Sequence, residues 1–287
     1  MISPVKKVAA LHDISSFGRS SLTVVIPILS SMGVYVCPIP TALLSTNTSY
    51  DSPYIADLTE HISPIIDHWR RLGISFDGIY SGFLGSPMQC EIVEQLIVDF
   101  KRDKQVVIVD PVLGDCGRLY ESMDKSMVVS MRQLIRKAGI ITPNLTEAQL
   151  LLGKEYNEKI SIEEIKENLI RLSEFGPKIV VITGVLDSSK STSYVVAYDK
   201  DTQHFWKVGC QYVPAEYPGA GDTFTSVLCG SILQGDSLPI ALDMAVHFVY
   251  YGVKSTYGYQ VDSREGILQE RILNTLKMPS PITAELV

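Results

Sequence analysis

The sequence predicts an α/β fold, a central, mostly parallel sheet flanked by helices, with a small antiparallel element late in the chain. Three observations carry this. Short uninterrupted apolar runs of strand length alternate with stretches of helical length, as when parallel strands are buried on both faces. Several of those runs end in acids, hydroxyl residues and glycines, among them His12 and Asp13, Asp110, Thr142, and Thr183 with Gly184. Apolar runs at 194–198 and 204–208 flank a polar turn at 199–203, the mark of a hairpin. No internal repeat, Pro-rich linker or charge block divides the chain, so residues 1–287 read as one domain.

Taken in order, residues 8–11 form a first buried strand. Leu22, Val25, Ile26 and Leu29 recur at helical spacing within 20–32, and Gly33 ends that helix. A strand at 34–39 completes a strand, helix, strand unit. Ligands of open parallel sheets sit outside the carboxyl ends of the strands, so His12, Asp13 and Thr41 fall where a pocket would be. Residues 45–53 are turn-rich, and 55–72 predict an amphipathic helix with His61 and His68 on one face. With no third ligand nearby, those imidazoles read as solvated or packed side chains, not a metal site.

A strand over 77–83 runs into Gly82, Phe83, Leu84 and Gly85, and Pro87 starts a helix to 101. The buried strand at 106–109 leads into Asp110 and, five residues on, Asp115, with 117–120 suited to a mobile cover. A helix near 125–136 and a strand at 140–141 precede Asn144 or Thr146 as a helix cap, with Glu147 in the first turn. Ser161 caps a helix to 174, and 179–182 form a strand ending at Thr183. After the hairpin, helices are expected at 222–233, 239–254 and 264–276.

The composition, 46% hydrophobic and 20% charged, is that of a soluble globular protein. A net charge of −7 argues against a nucleic-acid binder, which needs a basic surface. The five cysteines are scattered without a C-x-x-C pair, so no disulfide framework or zinc site is indicated and a reducing cytoplasm fits. The first residues do not read as a signal peptide. The most apolar stretch, 22–39, is broken by Pro27, Ser30, Ser31 and Gly33, so no membrane span is expected.

The chemistry concentrates at Pro218, Gly219, Ala220, Gly221, Asp222 and Thr223. Two glycines around a small residue let backbone N–H groups converge on an anion at a helix N-terminus, with Asp222 beside them as a proton acceptor. A glycine turn with Asp222 as a helix cap is the plain alternative. Asp110 and Asp115 at a strand end suit a hydrated Mg²⁺, which takes one or two carboxylates plus substrate phosphates, and Asp110 capping a turn before Pro111 is the equally weighted alternative. Asn144 and Glu147 read either as a capped helix start or as outer ligands of the same ion. No P-loop, G-x-G-x-x-G, G-x-S-x-G or H-E-x-x-H pattern is present, which leaves phosphoryl transfer to a hydroxyl as the reading that joins these groups.

The run Gly219, Ala220, Gly221, Asp222, Thr223, Phe224 resembles the signature of the ribokinase superfamily, and Asn144 with Glu147 resembles its second, metal-associated motif. The runs at 110–115, 81–86 and 141–144 narrow the resemblance to the pyridoxal kinases, in the same order from residue 8 to about 256. The resemblance implies a ribokinase-like fold and ATP-dependent phosphorylation of the 5′-hydroxymethyl group of pyridoxal, pyridoxine or pyridoxamine by a homodimer. By position, Asp222 would be the base and the backbone of Gly219, Ala220 and Gly221 would stabilise the transferring phosphoryl group. Asp115 and Glu147 would hold Mg²⁺, and Asp110, Thr142, Asn144, Thr183 and Gly184 would face ATP. The resemblance also leaves room for a monovalent cation. Asp13, Thr41 and Phe83 would line the vitamin site with Asp222. Asp13 stands where many members carry Ser, and Phe83 where some carry Tyr, so an acid at 13 would shift preference toward an amine-bearing acceptor such as pyridoxamine or an aminopyrimidine. The rival readings are a hydroxymethylpyrimidine kinase of related fold and a non-catalytic ligand-binding relative.

Overall fold

The computed structural model describes residues 4–187, 189–278 and 281–287. In chain order the elements are β1 (Lys6–Ser15), α1 (Leu22–Ser31), β2 (Val34–Leu44), β3 (Ile55–Asp57), α2 (Thr59–Arg71), β4 (Gly78–Ser81) and α3 (Pro87–Asp99). There follow β5 (Val106–Val109), β6 (Gly114–Asp115), β7 (Arg118–Leu119), α4 (Lys125–Leu134), β8 (Ile140–Ile141), α5 (Leu145–Leu152) and α6 (Ile162–Glu174). The last are β9 (Ile179–Leu186), β10 (Thr192–Asp199), β11 (His204–Gln211), α7 (Ala220–Gln234), α8 (Leu238–Gly258) and β12 (Glu285–Leu286).

Ten strands make one sheet in the order β12-β11-β10-β9-β8-β5-β4-β1-β2-β3, and β6 with β7 form a separate two-stranded ribbon. The six strands from β9 to β2 pair in parallel, while β10, β11, β12 and β3 pair antiparallel at the two flanks. This is the α/β architecture expected from the apolar runs.

Successive residues of a strand point to opposite faces, and each face of the sheet has its own core. Ala9, Leu11, Val107 and Val109 turn one way, into a layer with Ile62, Val93, Met131, Ala148 and Leu169 from α2 to α6. Val8, Ala10 and Ile108 turn the other way, against Ile28 of α1, Val227 and Leu228 of α7 and Leu242 of α8. At roughly 25 cal/mol per Å² of apolar surface, burying strands on both faces is the main stabilising contribution, and it requires runs without alternation.

The structure departs from the sequence-based expectations in three places. β1, β2 and β9 run on to Ser15, Leu44 and Leu186, past the polar residues that read as strand ends. The register of β1 and β2 slips between His12–Pro40 and Ile14–Leu43, so Thr41 and Ala42 of β2 stand against Asp13 alone. Such a bulge re-aims side chains, and here it falls on two residues singled out from the sequence. Second, residues 55–57 are an edge strand paired with β2 rather than the first turn of a helix. Asp57 then accepts hydrogen bonds from the amide and hydroxyl of Thr59, where α2 begins. Third, the expected helix at 264–276 is three short 3₁₀ turns, Ser263–Glu265, Gln269–Arg271 and Leu273–Lys277. Gly266 interrupts it: its φ is 82°, and a Cβ there would lie 2.6 Å from the Arg19 carbonyl oxygen.

Candidate active site

The carboxyl ends of β5, β8 and β9 and the start of α7 surround a cavity of about 980 Å³. It is lined by Asp110, Asp115, Thr142, Asn144, Glu147, Thr183, Gly184 and Gly219 to Asp222. One cavity thus gathers every residue that the sequence assigned to base, anion cradle, nucleotide and metal. Asp13, Thr41 and Phe83 are not among its lining residues.

The glycine turn works through two different glycines. Gly219 has φ 77° and caps α7, and a Cβ on it would lie 2.3 Å from the Arg19 carbonyl oxygen, so close approach of the 19–20 backbone requires glycine. Gly221 lies within α7, and a Cβ on it would meet nothing nearer than Asp110 Oδ2 at 4.0 Å. Its bare side opens on the cavity. In that first turn Ala220 N donates to the Tyr217 carbonyl and Thr223 N to that of Gly219, while the amides of Gly221 and Asp222 have no backbone acceptor among the described residues. Free first-turn amides at a helix N-terminus carry partial positive charge toward an anion.

Asp222 is held from behind. Its Oδ2 accepts the Ser21 amide at 2.8 Å, and its Oδ1 lies 3.8 Å from Nδ1 of the fully buried His12. The His12 ring stands edge-on to Tyr80 with centroids 4.3 Å apart, and neither ring nitrogen has a hydrogen-bond partner among the described residues.

Beside the turn lies an acidic pole. Asp110 is 6% exposed, and burial, with the Asp222 charge adding to it, pushes its carboxyl up to about 8. Thr225, one turn along α7 from Asp222, donates to Asp110 Oδ2 at 3.3 Å or to Thr142 Oγ1 at 3.0 Å. Glu147 is also buried, and desolvation with the Asp110 charge holds its carboxyl well above the usual range. It forms a full capping box at the start of α5: its Oε2 accepts the Asn144 amide at 2.8 Å and Asn144 Oδ1 accepts the Glu147 amide at 2.9 Å. Glu147 Oε1 also accepts the Leu113 amide at 3.0 Å, and Asn144 Nδ2 donates to the Gly114 carbonyl at 2.9 Å. Of the two readings left open by the sequence, the helix cap is the one formed here, and it stands on the wall of the pocket.

Desolvated acids that raise one another's pKa suit a cation, and an all-oxygen donor set suits Mg²⁺. Among the described residues no three His, Cys, Asp or Glu close on one point. Mg²⁺ needs no such cage, since it keeps waters and binds one or two carboxylates with substrate phosphates. Asp115 sits on the exposed ribbon β6–β7, where its Oδ1 accepts the Cys116 amide at 2.7 Å. The stretch expected as a cover is that ribbon, tied to α5 by the Gly117 amide donating to Thr146 Oγ1 at 3.0 Å.

The three residues assigned to the acceptor pocket make their contacts inside the protein. Thr41 is fully buried and donates to the Phe83 carbonyl at 3.1 Å. Phe83 packs against the core of the α2–α6 layer. Asp13, 5% exposed, accepts a short hydrogen bond from Ser21 Oγ and a longer one from Ser15 Oγ at 3.4 Å. Burial raises its carboxyl to about 6, against the lowering effect of the Ser21 bond. A carboxyl raised on folding contributes stability that is fully present below its ordinary value of 3.8 and is lost as the pH rises through 6. Relative to Asp13→Asn, the wild-type protein should therefore gain about 2 kcal/mol between pH 7 and pH 4. Paired thermal melts across that window check this, and a constant difference would remove the buried charge from the account.

Sequence reasoning missed Ser21 and Thr225, whose roles come from contacts across the fold. It also missed the apolar wall of Val246, Val249 and Val253 on α8, although that helical spacing was visible.

A family profile for phosphomethylpyrimidine kinase matches residues 26–268. The chain belongs to the phosphomethylpyrimidine kinase family. Within it, the chain is similar to a candidate phosphomethylpyrimidine kinase of Bacteroides thetaiotaomicron solved with pyridoxal, at 52% identity and a TM-score of 0.96, covering 99% of this chain and 100% of that one. A pyridoxal kinase of Lactobacillus plantarum is 31% identical with a TM-score of 0.87, covering 94% and 96% of the two chains. A Leishmania donovani pyridoxal kinase, solved with ADP and pyridoxamine, is 21% identical with a TM-score of 0.90 over 98% and 99%, a likeness of fold. The kinase family and the ribokinase-like fold thus agree with the resemblance carried by the glycine turn.

Proposed function

We propose that this kinase transfers the γ-phosphoryl group of ATP to the 5′-hydroxymethyl group of pyridoxal, pyridoxine or pyridoxamine, acting as one cytoplasmic kinase domain in a homodimer. The observation that carries the reading is the juxtaposition, in one cavity, of two free helix amides, the Asp222 carboxylate and the buried acids Asp110 and Glu147.

Asp222 accepts the proton of the acceptor hydroxyl as its oxygen attacks phosphorus. The amides at Gly221 and Asp222 take the charge that spreads over the transferring oxygens, and they are already oriented before reaction. Thr142, Asn144, Thr183 and Gly184 face the nucleotide, and Val246, Val249 and Val253 give its base an apolar wall. Asp115 and Glu147 would hold Mg²⁺ through water or phosphate, and the ion when bound would neutralise phosphate charge against the acidic pole. The residues do not single out a place for a monovalent cation.

A second reading, phosphorylation of hydroxymethylpyrimidine, is favoured by the family profile that matches this chain. It uses the same base and cradle. ATP consumption measured with pyridoxal, pyridoxine, pyridoxamine and hydroxymethylpyrimidine under one set of conditions separates them. The expected result is the highest kcat/KM on a B6 vitamer; highest kcat/KM on the pyrimidine would replace the first reading with the second, and no turnover on any would leave a non-catalytic relative.

A further inference from the structure

We infer that Asp13 is a positioning residue for the catalytic base, acting through Ser21, rather than a contact to the acceptor. The inference rests on the reading of Asp222 as the base. Ser21 is the link: its hydroxyl donates to Asp13 Oδ1, and its backbone amide donates to Asp222 Oδ2 at 2.8 Å. One residue is thus gripped at its side chain by β1 and grips the base with its backbone.

Three further features point the same way. Ser21 has φ 52° and ψ −131°, a conformation that a residue with a side chain rarely adopts, so something outside its own backbone must hold it there. As the residue preceding α1 it does not cap the helix with its hydroxyl, which is committed to Asp13 instead. Asp13 in turn faces one residue too many on β2, and this bulge turns its carboxylate inward to the hydroxyls of Ser15 and Ser21. Ser20 Oγ donates to Ser15 Oγ at 3.2 Å, which ties the same turn back to β1 a second time. The 19–20 backbone also forms the surface that Gly219 approaches without a Cβ. The turn therefore meets both ends of the Gly219 to Asp222 run.

The Ser21 amide on Oδ2 fixes the orientation of the Asp222 carboxylate, so loosening Ser21 should misplace the base and lower kcat while the residues that hold the substrates stay where they are.

The test compares wild type, Ser21→Ala, Ser21→Gly, Asp13→Ala, Asp13→Asn and Asp222→Asn by kcat and KM, with thermal melts to show which variants fold. Glycine tolerates the φ of Ser21, so Ser21→Gly separates loss of the hydroxyl from loss of the fold. Ser21→Gly and Asp13→Ala are expected to lose about 10- to 100-fold in kcat, the scale of a slightly misplaced reacting group, with KM for both substrates nearly unchanged. Asp13→Asn, whose amide oxygen can still accept the Ser21 hydroxyl, should retain more kcat than Asp13→Ala, a rescue that a contact to the acceptor would not produce. Wild-type kcat in Ser21→Gly would overturn the inference, as would an Asp13→Ala defect confined to the KM of the acceptor. Full activity of Asp222→Asn would instead overturn the reading of the base, so the two failures are distinguishable.

Discussion

Asp222→Asn is expected to lower kcat by about 10²- to 10⁴-fold while ATP binding is retained, the range for loss of a positioned general base. Asparagine keeps the volume of the side chain, and its carbonyl oxygen can still accept the Ser21 amide that now meets Oδ2 at 2.8 Å. What it lacks is the charge and basicity to take a proton from the acceptor alcohol. Nucleotide affinity should survive because the residues proposed to face ATP sit on other elements, on or just after β5, β8 and β9. Turnover measured beside a nucleotide titration checks both halves. Unimpaired turnover would leave Asp222 as a helix cap and return the glycine turn to its plain reading.

The second large effect divides two glycines that look equivalent in the sequence. Gly219→Ala places a Cβ 2.3 Å from the Arg19 carbonyl oxygen on a residue at φ 77°, so the turn against residues 19–20 must open. A loss of about 2–4 kcal/mol in stability is expected, since neither the backbone oxygen nor the left-handed conformation can yield cheaply. Gly221→Ala is expected to fold as well as wild type or slightly better, because alanine is favoured over glycine in a helix by up to about 1 kcal/mol. Yet its methyl group would stand in the cavity 4.0 Å from Asp110 Oδ2, on the side where the free amides face. Activity should fall about 100-fold or more, as when an oxyanion donor can no longer reach its target. Melting temperature and turnover measured on both variants separate these outcomes. Equal loss of stability in the two would mean that Gly221 is structural, and full activity of Gly221→Ala would mean that phosphate does not approach there.

Much of this was legible in the residues because the parallel strands are apolar on both faces. The run at Val106–Val109 was bounded correctly, and the helix starts at Ser161 and Asn144 appeared with their caps. Strand ends were misjudged where function overrides pattern. β1 continues through His12 and Asp13 because the sheet buries them and the bulge and Ser21 give Asp13 its partners, neither of which a polar residue announces in sequence. Residues 55–57 carry the same apolar character as the helix after them, and only the free edge of β2 makes them a strand. In the site, Asp110, Glu147 and Asp222 could be named because each follows a recognisable local pattern. Ser21 lies 201 residues from the carboxylate it holds, and no local pattern contains that distance.

The two cores on either side of the sheet bear on how such a site is held. The proposed anion cradle and base ride on α7, fastened by Val227 and Leu228 to one layer. Glu147 is in the first turn of α5, fastened by Ala148 and Leu151 to the other, while Asp110 stands between them at the end of β5. The placing of Asp222 relative to Glu147 therefore depends on how two helical layers pack on one sheet, not on the reach of a loop.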